Sequence, residues 1–313
     1  MKVKSLGYVV ISSTDQNKWL DFGTNVVGMM HNTSLPGTDT VYLRMDQRPF
    51  RYAIEKGEFD GLLYAGWDLG SQTDFNNAVE ELKGKGITVD TIEDAGVLAA
   101  RAVSGLARLA DPSGNRLELF WAAEDIAKDA TPFKSPLDIK GFITTAKSGE
   151  DMGLGHVVLH APIDYEGTHK FYEAMGFFDA DITLLGGDEA NGKIYFMACN
   201  PRHHSLALWN WGGPTPETNF MPSPQSKAPG CVHLMAEVSS LGEVGSCLDR
   251  VNEREIMIIS TLGEHINDEM VSFYMLTPGM FALEFGYDGL QLDASHKTTH
   301  NVAPSKWGHK WAG

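Results

Sequence analysis

His156 stands inside GLGHVVLHAP (153–162), a run whose Val157, Val158 and Leu159 otherwise read as a buried β-strand. A histidine is tolerated in a core when hydrogen-bonded, and it is also the commonest metal ligand. A second copy of the pattern within the chain weighs between the two readings. SLGYVVISS (5–13) matches GLGHVVLHA (153–161) and superposes Tyr8 on His156. GLLYAGWDL (61–69) matches GCVHLMAEV (230–238) and superposes Tyr64 on His233. LARLADPSGNRLELFW (106–121) matches SFYMLTPGMFALEFGY (272–287) and superposes Glu118 on Glu284. His156 and His233 therefore occur in the second copy alone, beside a carboxylate. Two neutral imidazoles and one carboxylate are the facial donor set of non-haem Fe(II) oxygenases, with positions left open for a bidentate substrate and dioxygen. His160 is the rival ligand, but four residues along a strand carry it about 13 Å from His156, to the strand's end.

The asymmetry between the copies continues. YLRMDQRPFRYAI (42–54) laid on YFMACNPRHHSLA (195–207) puts Arg51 on His204, while Ala99 and Arg108 face His265 and Tyr274. As strand neighbours, His203 and His204 would point to opposite faces, so that one of them enters a cavity. Groups titrating near neutrality are what removal of a proton from a phenol requires.

Residues so far apart in sequence need a framework that brings separate strands together. Four matches in the same order mark a tandem duplication. Each half divides again into a strand, a helix and two or three short strands. The helices are expected in DQNKWLDFGTNVVGM, with Trp19, Phe22 and Val26 on one face, and in DFNNAVEELKGKG, EGTHKFYEAMGF and GEVGSCLDRVNERE. The fold class is α+β, two tandem domains of two βαβββ modules each. The expected division is an N-terminal domain without metal ligands (1–125), a linker (126–150), a catalytic domain (151–290) and a tail packing on it (291–313). GGPTPETNFMPSPQSKAPG (212–230) is expected as a surface crossover.

The bulk composition excludes several partners. The 313 residues carry 25 basic and 41 acidic side chains, a net charge of −16 that argues against nucleic acid and anionic membranes. No apolar stretch approaches the roughly 18 residues that span a bilayer. The opening MKVKSLGYVVISSTDQ reads as a strand and not as a signal peptide. Cys199, Cys231 and Cys247 form no CxxC pattern, which points to the reducing cytoplasm.

GLGHVVL, RHHSLAL, HLMAEV, GEHINDEMVSFYMLTP and ALEFGYDG carry a resemblance that runs from LGYVVISSTD at residue 6 to SKWGHKW at 305–311. With these motifs the chain resembles the type I extradiol catechol dioxygenases of the vicinal oxygen chelate superfamily, of the 2,3-dihydroxybiphenyl 1,2-dioxygenase kind. TPGM (277–280) departs from the TPSG frequent in that family, with the spacing from Thr277 to Glu284 kept. The resemblance implies a glyoxalase-like fold and Fe(II), with Mn(II) as the alternative metal, held by His156, His233 and Glu284. It implies His204 as the base that deprotonates the bound catechol. His265 and Tyr274 would hold the hydroxyl oxygens, with Asn267 and Asp268 supporting them. Val158 and Phe196 would line an aromatic pocket that Pro304 closes. The expected reaction cleaves a catechol beside its two hydroxyls with O2, in the degradation of aromatic compounds. The expected substrate is bicyclic, such as 2,3-dihydroxybiphenyl, and monocyclic, alkyl-substituted or naphthalene-type diols are the alternatives. A glyoxalase-like metal isomerase and a metal-free aromatic-binding module are the readings from other classes. A homo-oligomer is expected.

Overall fold

The computed structural model of the protein describes residues 1–35, 39–122, 131–211 and 229–312. The first half contains β1 (Ser5–Ser13), α1 (Gln16–Phe22), β2 (Met30–Asn32), β3 (Thr40–Arg44), β4 (Tyr52–Lys56), β5 (Gly61–Asp68), α2 (Gln72–Gly84), β6 (Asp90–Ile92), α3 (Ala95–Arg101), β7 (Gly105–Ala110) and β8 (Arg116–Trp121). The second half contains β9 (Val157–His160), α4 (Tyr165–Ala174), β10 (Phe178–Leu184), β11 (Gly192–Ala198), β12 (Leu206–Trp211), β13 (Gly230–Val238), α5 (Leu241–Glu253), β14 (Ile258–His265), β15 (Val271–Leu276) and β16 (Ala282–Tyr287). Two short strands follow, β17 (Thr299–Asn301) and β18 (Ser305–Trp307).

The strand order of the first sheet is β2-β3-β4-β1-β5-β8-β7-β6, and of the second β17-β10-β11-β12-β9-β13-β16-β15-β14-β18. Without its two edge strands the second sheet repeats the first. In each, the opening strand of a module pairs in parallel with that module's last strand, and the two modules join through an antiparallel central pair, β1 with β5 or β9 with β13. This is the expected α+β architecture of paired βαβββ modules. The register repeats too: Glu118 opposes Arg108 and Gly66, as Glu284 opposes Tyr274 and Met235.

The alignment around His204 needs one correction. Val9 pairs with Tyr52 and Val157 with Leu206, so the copies are one residue out of step with the ungapped match in this strand. The counterpart of His204 is Phe50, not Arg51, and that of Phe196 is Tyr42. Ring contacts agree: Tyr8 meets Phe50 at 5.2 Å where His156 meets His204 at 4.0 Å.

Strand alternation divides each sheet into two faces. Val157, Leu159, Tyr195, Met197, Leu206 and Leu208 join the main core with Trp19, Trp67 and other residues of the first half. Trp67 meets Phe177, and Trp19 meets Phe281, across the two halves. Val158, Ile194, Ala207, Trp209 and Val232 form a separate cluster on the opposite face, with Phe196 against it. The helices begin where the sequence supplies caps: the Ser71 side chain accepts from Asp74 N and that of Ser240 from Glu243 N. Glu243 reaches back to Ser239 N, closing a capping arrangement.

Residues 123–130, which include the start of the expected linker, and nearly all of the expected crossover, 212–228, lie outside the described residues. The stretch that follows the first of these touches both halves: Ser135 Oγ donates to Gly28 O at 2.7 Å, and Ile143 N to Glu237 O at 2.8 Å. No described helix is long and apolar enough to cross a membrane.

Candidate metal centre

His156 immediately precedes β9, and its carbonyl accepts from Met235 N at 3.0 Å. Gly155 makes this approach feasible: a Cβ there would lie 1.9 Å from the Met235 carbonyl oxygen. His233 lies in β13 and Glu284 in β16, adjacent parallel strands. Their side chains converge on His156. His156 Nε2 is 3.1 Å from both His233 Nε2 and Glu284 Oε2, and His233 Nε2 is 3.5 Å from Glu284 Oε2. Adjacent ligands about 2.1 Å from one ion stand about 3 Å apart, so these three atoms suit three neighbouring positions around a cation.

The charges suit the same purpose. Burial opposes ionisation of Glu284, but hydrogen bonds from His156, His233 and His265 hold its carboxyl well below the usual range. Burial lowers His156 to about 4, which keeps it a neutral donor to a metal. Its Nδ1 has no partner among the described residues, so no neighbour there orients this imidazole. Ser272 Oγ donates to Glu284 Oε1 at 2.6 Å and fixes the carboxylate's other oxygen.

The first half supplies an internal control. There Tyr8 Oη donates to Glu118 Oε2 at 2.7 Å, and the nearest cations to Glu118 are guanidinium groups. Arg101 Nε lies 2.9 Å from Oε2 and Arg108 Nη2 3.0 Å from Oε1. Tyr64 Oη accepts from Arg116 at 2.8 Å. Built-in arginines neutralise this buried carboxylate, whereas Glu284 has imidazoles in ligand geometry. Arg101 comes from α3, a helix not expected from the sequence, and it meets the carboxylate oxygen that Tyr8 meets, whereas His265 meets the Glu284 oxygen other than the one facing His156. The expected match of Ala99 with His265 does not hold.

His265, at the end of β14, places Nε2 2.7 Å from Tyr274 Oη and 3.1 Å from Glu284 Oε1. Burial alone would lower it, but hydrogen bonding to Glu284 and that group's charge push it up to about 9. Burial and Glu284 hold the Tyr274 phenol well above its ordinary value, so it stays a donor. His203 and His204 lie in a bend before β12, where strand alternation does not govern them, and both are buried. Their Nδ1 atoms face one another at 3.1 Å, which leaves Nε2 of His204 for other partners. Burial, then the neighbouring His156, lowers His204 well below its ordinary value. The bend is anchored by Arg202, whose Nη1 meets Glu237 Oε2 of β13 at 2.6 Å.

The remaining expected residues spread around this centre. Val158 and Phe196 both oppose Ala207, which brings them to one face. The Phe196 ring meets His204 edge-on at 4.9 Å. Asp268 Oδ2 is 3.9 Å from His204 Nδ1, and Asn267 stands half-buried in the same bend. The Pro304 carbonyl accepts from His265 Nδ1 at 3.0 Å. His160 ends β9, buried and away from the three ligand atoms. Sequence reasoning passed over Ser272 and His309. A serine two residues before Tyr274, on the same strand face, was the available signal for the first.

Known proteins place this geometry. Residues 6–57 match the profile described as Dihydroxybiphenyl dioxygenase BphC D1. Residues 153–285 match that of the Glyoxalase/Bleomycin resistance protein/Dioxygenase superfamily. An iron-dependent extradiol dioxygenase of Rhodococcus jostii strain RHA1 is 38% identical over 326 residues, covering 100% of this chain and 98% of the relative. A biphenyl-2,3-diol 1,2-dioxygenase of Metapseudomonas furukawaii is 34% identical, covering 99% of this chain and 94% of its own. The crystal structure of BphC, a halotolerant catechol dioxygenase, superposes with a TM-score of 0.84 at 28% identity, covering 99% and 95% of the two chains. The chain belongs to the extradiol dioxygenases of this superfamily.

Proposed function

We propose that the protein cleaves a catechol beside its two hydroxyls with dioxygen, using Fe(II) held by His156, His233 and Glu284, with Mn(II) as the alternative metal. The observation that carries this reading is the convergence of two imidazole nitrogens and one carboxylate oxygen within 3.1–3.5 Å of one another. The metal supplies chelation of the diol and the electronic coupling that lets ring and dioxygen react.

The chain's own residues supply binding and proton handling. His204, held uncharged, takes the proton of one hydroxyl. His265 and Tyr274, hydrogen-bonded to each other, hold the diol oxygens, and His265 keeps its orientation through the Pro304 carbonyl. Asn267 and Asp268 support this side, with Asp268 next to His204. Both oxygen atoms of dioxygen enter the product, a yellow hydroxymuconic semialdehyde type of acid.

The apolar layer of Val158, Phe196 and Ala207 supports a bicyclic substrate of the 2,3-dihydroxybiphenyl kind, whose second ring it would cover. The three free, buried cysteines support work in the reducing cytoplasm. Exposed apolar side chains such as Ile163, Val302 and Trp307 support self-association into a homo-oligomer. The deciding experiment loads the protein anaerobically with Fe(II), adds mono- and bicyclic catechols, then admits oxygen. Yellow product and oxygen uptake, both abolished by EDTA, are expected. Turnover that needs no oxygen would mark an isomerase, and diol binding that survives EDTA without turnover would mark a binding module.

A further inference from the structure

The C-terminal segment is built into the wall of this centre. Ile266 N donates to Pro304 O, Thr261 N to Lys310 O and Ala312 N to Ile259 O, so the segment is fastened along β14. Between these fastenings the chain turns His309 inward. His309 is 5% exposed, whereas Trp307 and Trp311 on either side are 48% and 41% exposed. The turn uses left-handed backbone at Gly308 (φ 72) and at His309 itself (φ 46). A Cβ at Gly308 would stand 2.2 Å from Leu262 O. Left-handed backbone at a residue with a side chain is unfavourable and persists where the surroundings dictate it.

Both ring nitrogens of His309 are engaged. Nδ1 accepts from Ser305 Oγ at 2.7 Å, and Nε2 donates to Ser272 O at 3.2 Å. The buried ring packs over His265, with ring centres 4.1 Å apart and planes 31° from parallel. His265 is therefore held at Nδ1 by Pro304 O and across its face by His309. Hydrogen bonds at Nδ1 and at Nε2 fix the two ends of the ring but not its tilt about the line between them; a packed face fixes the tilt. The Trp311 ring meets Tyr274 at 4.9 Å, so the segment touches the other partner of His265 as well.

We propose that His309 is a positioning residue for diol cleavage, its imidazole face holding His265 so that Nε2 meets Tyr274 and the diol. The proposal rests on the reading of the centre as an iron site for catechols. Among the described residues His309 makes no hydrogen bond to His156, His233 or Glu284; its link to them is Ser272, whose Oγ lies 3.4 Å from His309 Nε2 and donates to Glu284.

Three variants test it: His309→Ala, His309→Phe, which keeps a ring face without nitrogens, and His309→Gln, which keeps a donor without a ring. Each is compared with the parent for iron content, melting temperature and 2,3-dihydroxybiphenyl cleavage. In His309→Ala, iron stays stoichiometric and KM stays within about threefold, while kcat falls about 10- to 100-fold, the scale of a misplacement near 1 Å. His309→Phe recovers kcat to within about threefold of the parent, and His309→Gln does not. A second readout needs no turnover: in metal-free protein, the His265 imidazole N–H resonance is sharp in the parent and in His309→Phe, and broadened in His309→Ala. Parent-like kcat in His309→Ala overturns the proposal, as do an unbroadened resonance, a loss of kcat that tracks lost iron, or failure of His309→Phe to rescue. If the iron-loaded parent cleaves no diol at all, the reading of the centre fails instead, and the resonance still reports on His309 separately.

Discussion

Replacing Ser272 with alanine removes one hydroxyl and tests how the carboxylate ligand is held. Ser272 is fully buried in β15, and its Oγ donates to Glu284 Oε1 at 2.6 Å. Hydrogen bonds to ionised groups contribute about 1.5–3 kcal/mol, which corresponds to roughly 10- to 150-fold in an equilibrium constant. That whole amount is an upper bound for metal affinity, because the bond exists with and without the ion. What is lost is orientation: with Oε1 held by His265 alone, the carboxylate can rotate Oε2 away from the imidazoles. A 10- to 100-fold weaker Fe(II) affinity is therefore expected, about the range for a lost supporting group behind a ligand. The assay is anaerobic competition with a chromogenic chelator of known Fe(II) affinity, alongside circular dichroism. Affinity within about threefold of the parent in a folded protein would refute the reasoning and assign the orientation to His265 and the strand backbone.

Other substitutions probe the rest of the centre. His233→Ala and Glu284→Ala should each lose iron and ring cleavage, measured by metal analysis, whereas Tyr64→Phe should keep full iron because Tyr64 pairs with Arg116 in the first half, apart from the three ligand residues. His204→Ala should keep iron and bind the diol but turn over at least about 100-fold more slowly in steady-state assays, the scale of a lost general base. Phe196→Ala should lose about 1–3 kcal/mol for the second ring, lowering kcat/KM for 2,3-dihydroxybiphenyl by roughly 5- to 150-fold while that for catechol holds. Arg101→Met leaves Glu118 with only one guanidinium partner and should cost about 3 kcal/mol in denaturant unfolding, with iron content unchanged.

The duplication made much of this readable. Comparing Tyr8, Tyr64 and Glu118 with His156, His233 and Glu284 singled out three residues on separate strands, and the register of β7 with β8 and β15 with β16 repeats that match. Errors arose where the copies differ in backbone length. One residue displaced the match of His204, because an ungapped alignment has no sign of a bulge or bend. His203 and His204 looked like strand residues by composition, yet Arg202 and Glu237 pin them in a bend, a long-range ion pair that sequence spacing cannot reveal. The first half has the short β6 followed by α3 where the second has the long β14, so a position matched by offset met a helix. Ser272 and His309 went unread because their roles lie in hydrogen bonds and ring contacts, which leave no periodic trace.

The arginines around Glu118 have a consequence for how the chain matures. Their positive charges are covalent, so the buried carboxylate of the first half is neutralised as soon as that half folds, whatever the supply of metal. Among the described residues Glu284 has no guanidinium beside it and shares its pocket with the imidazoles of His156, His233 and His265. Trp19 and Trp67, whose rings meet Phe281 and Phe177 of the second half, belong to the same scaffold, so this junction between the halves depends on no metal. Metal scarcity would thus yield a half-secured molecule, complete in its scaffold and slack only around the centre, ready to be loaded later without refolding from the start.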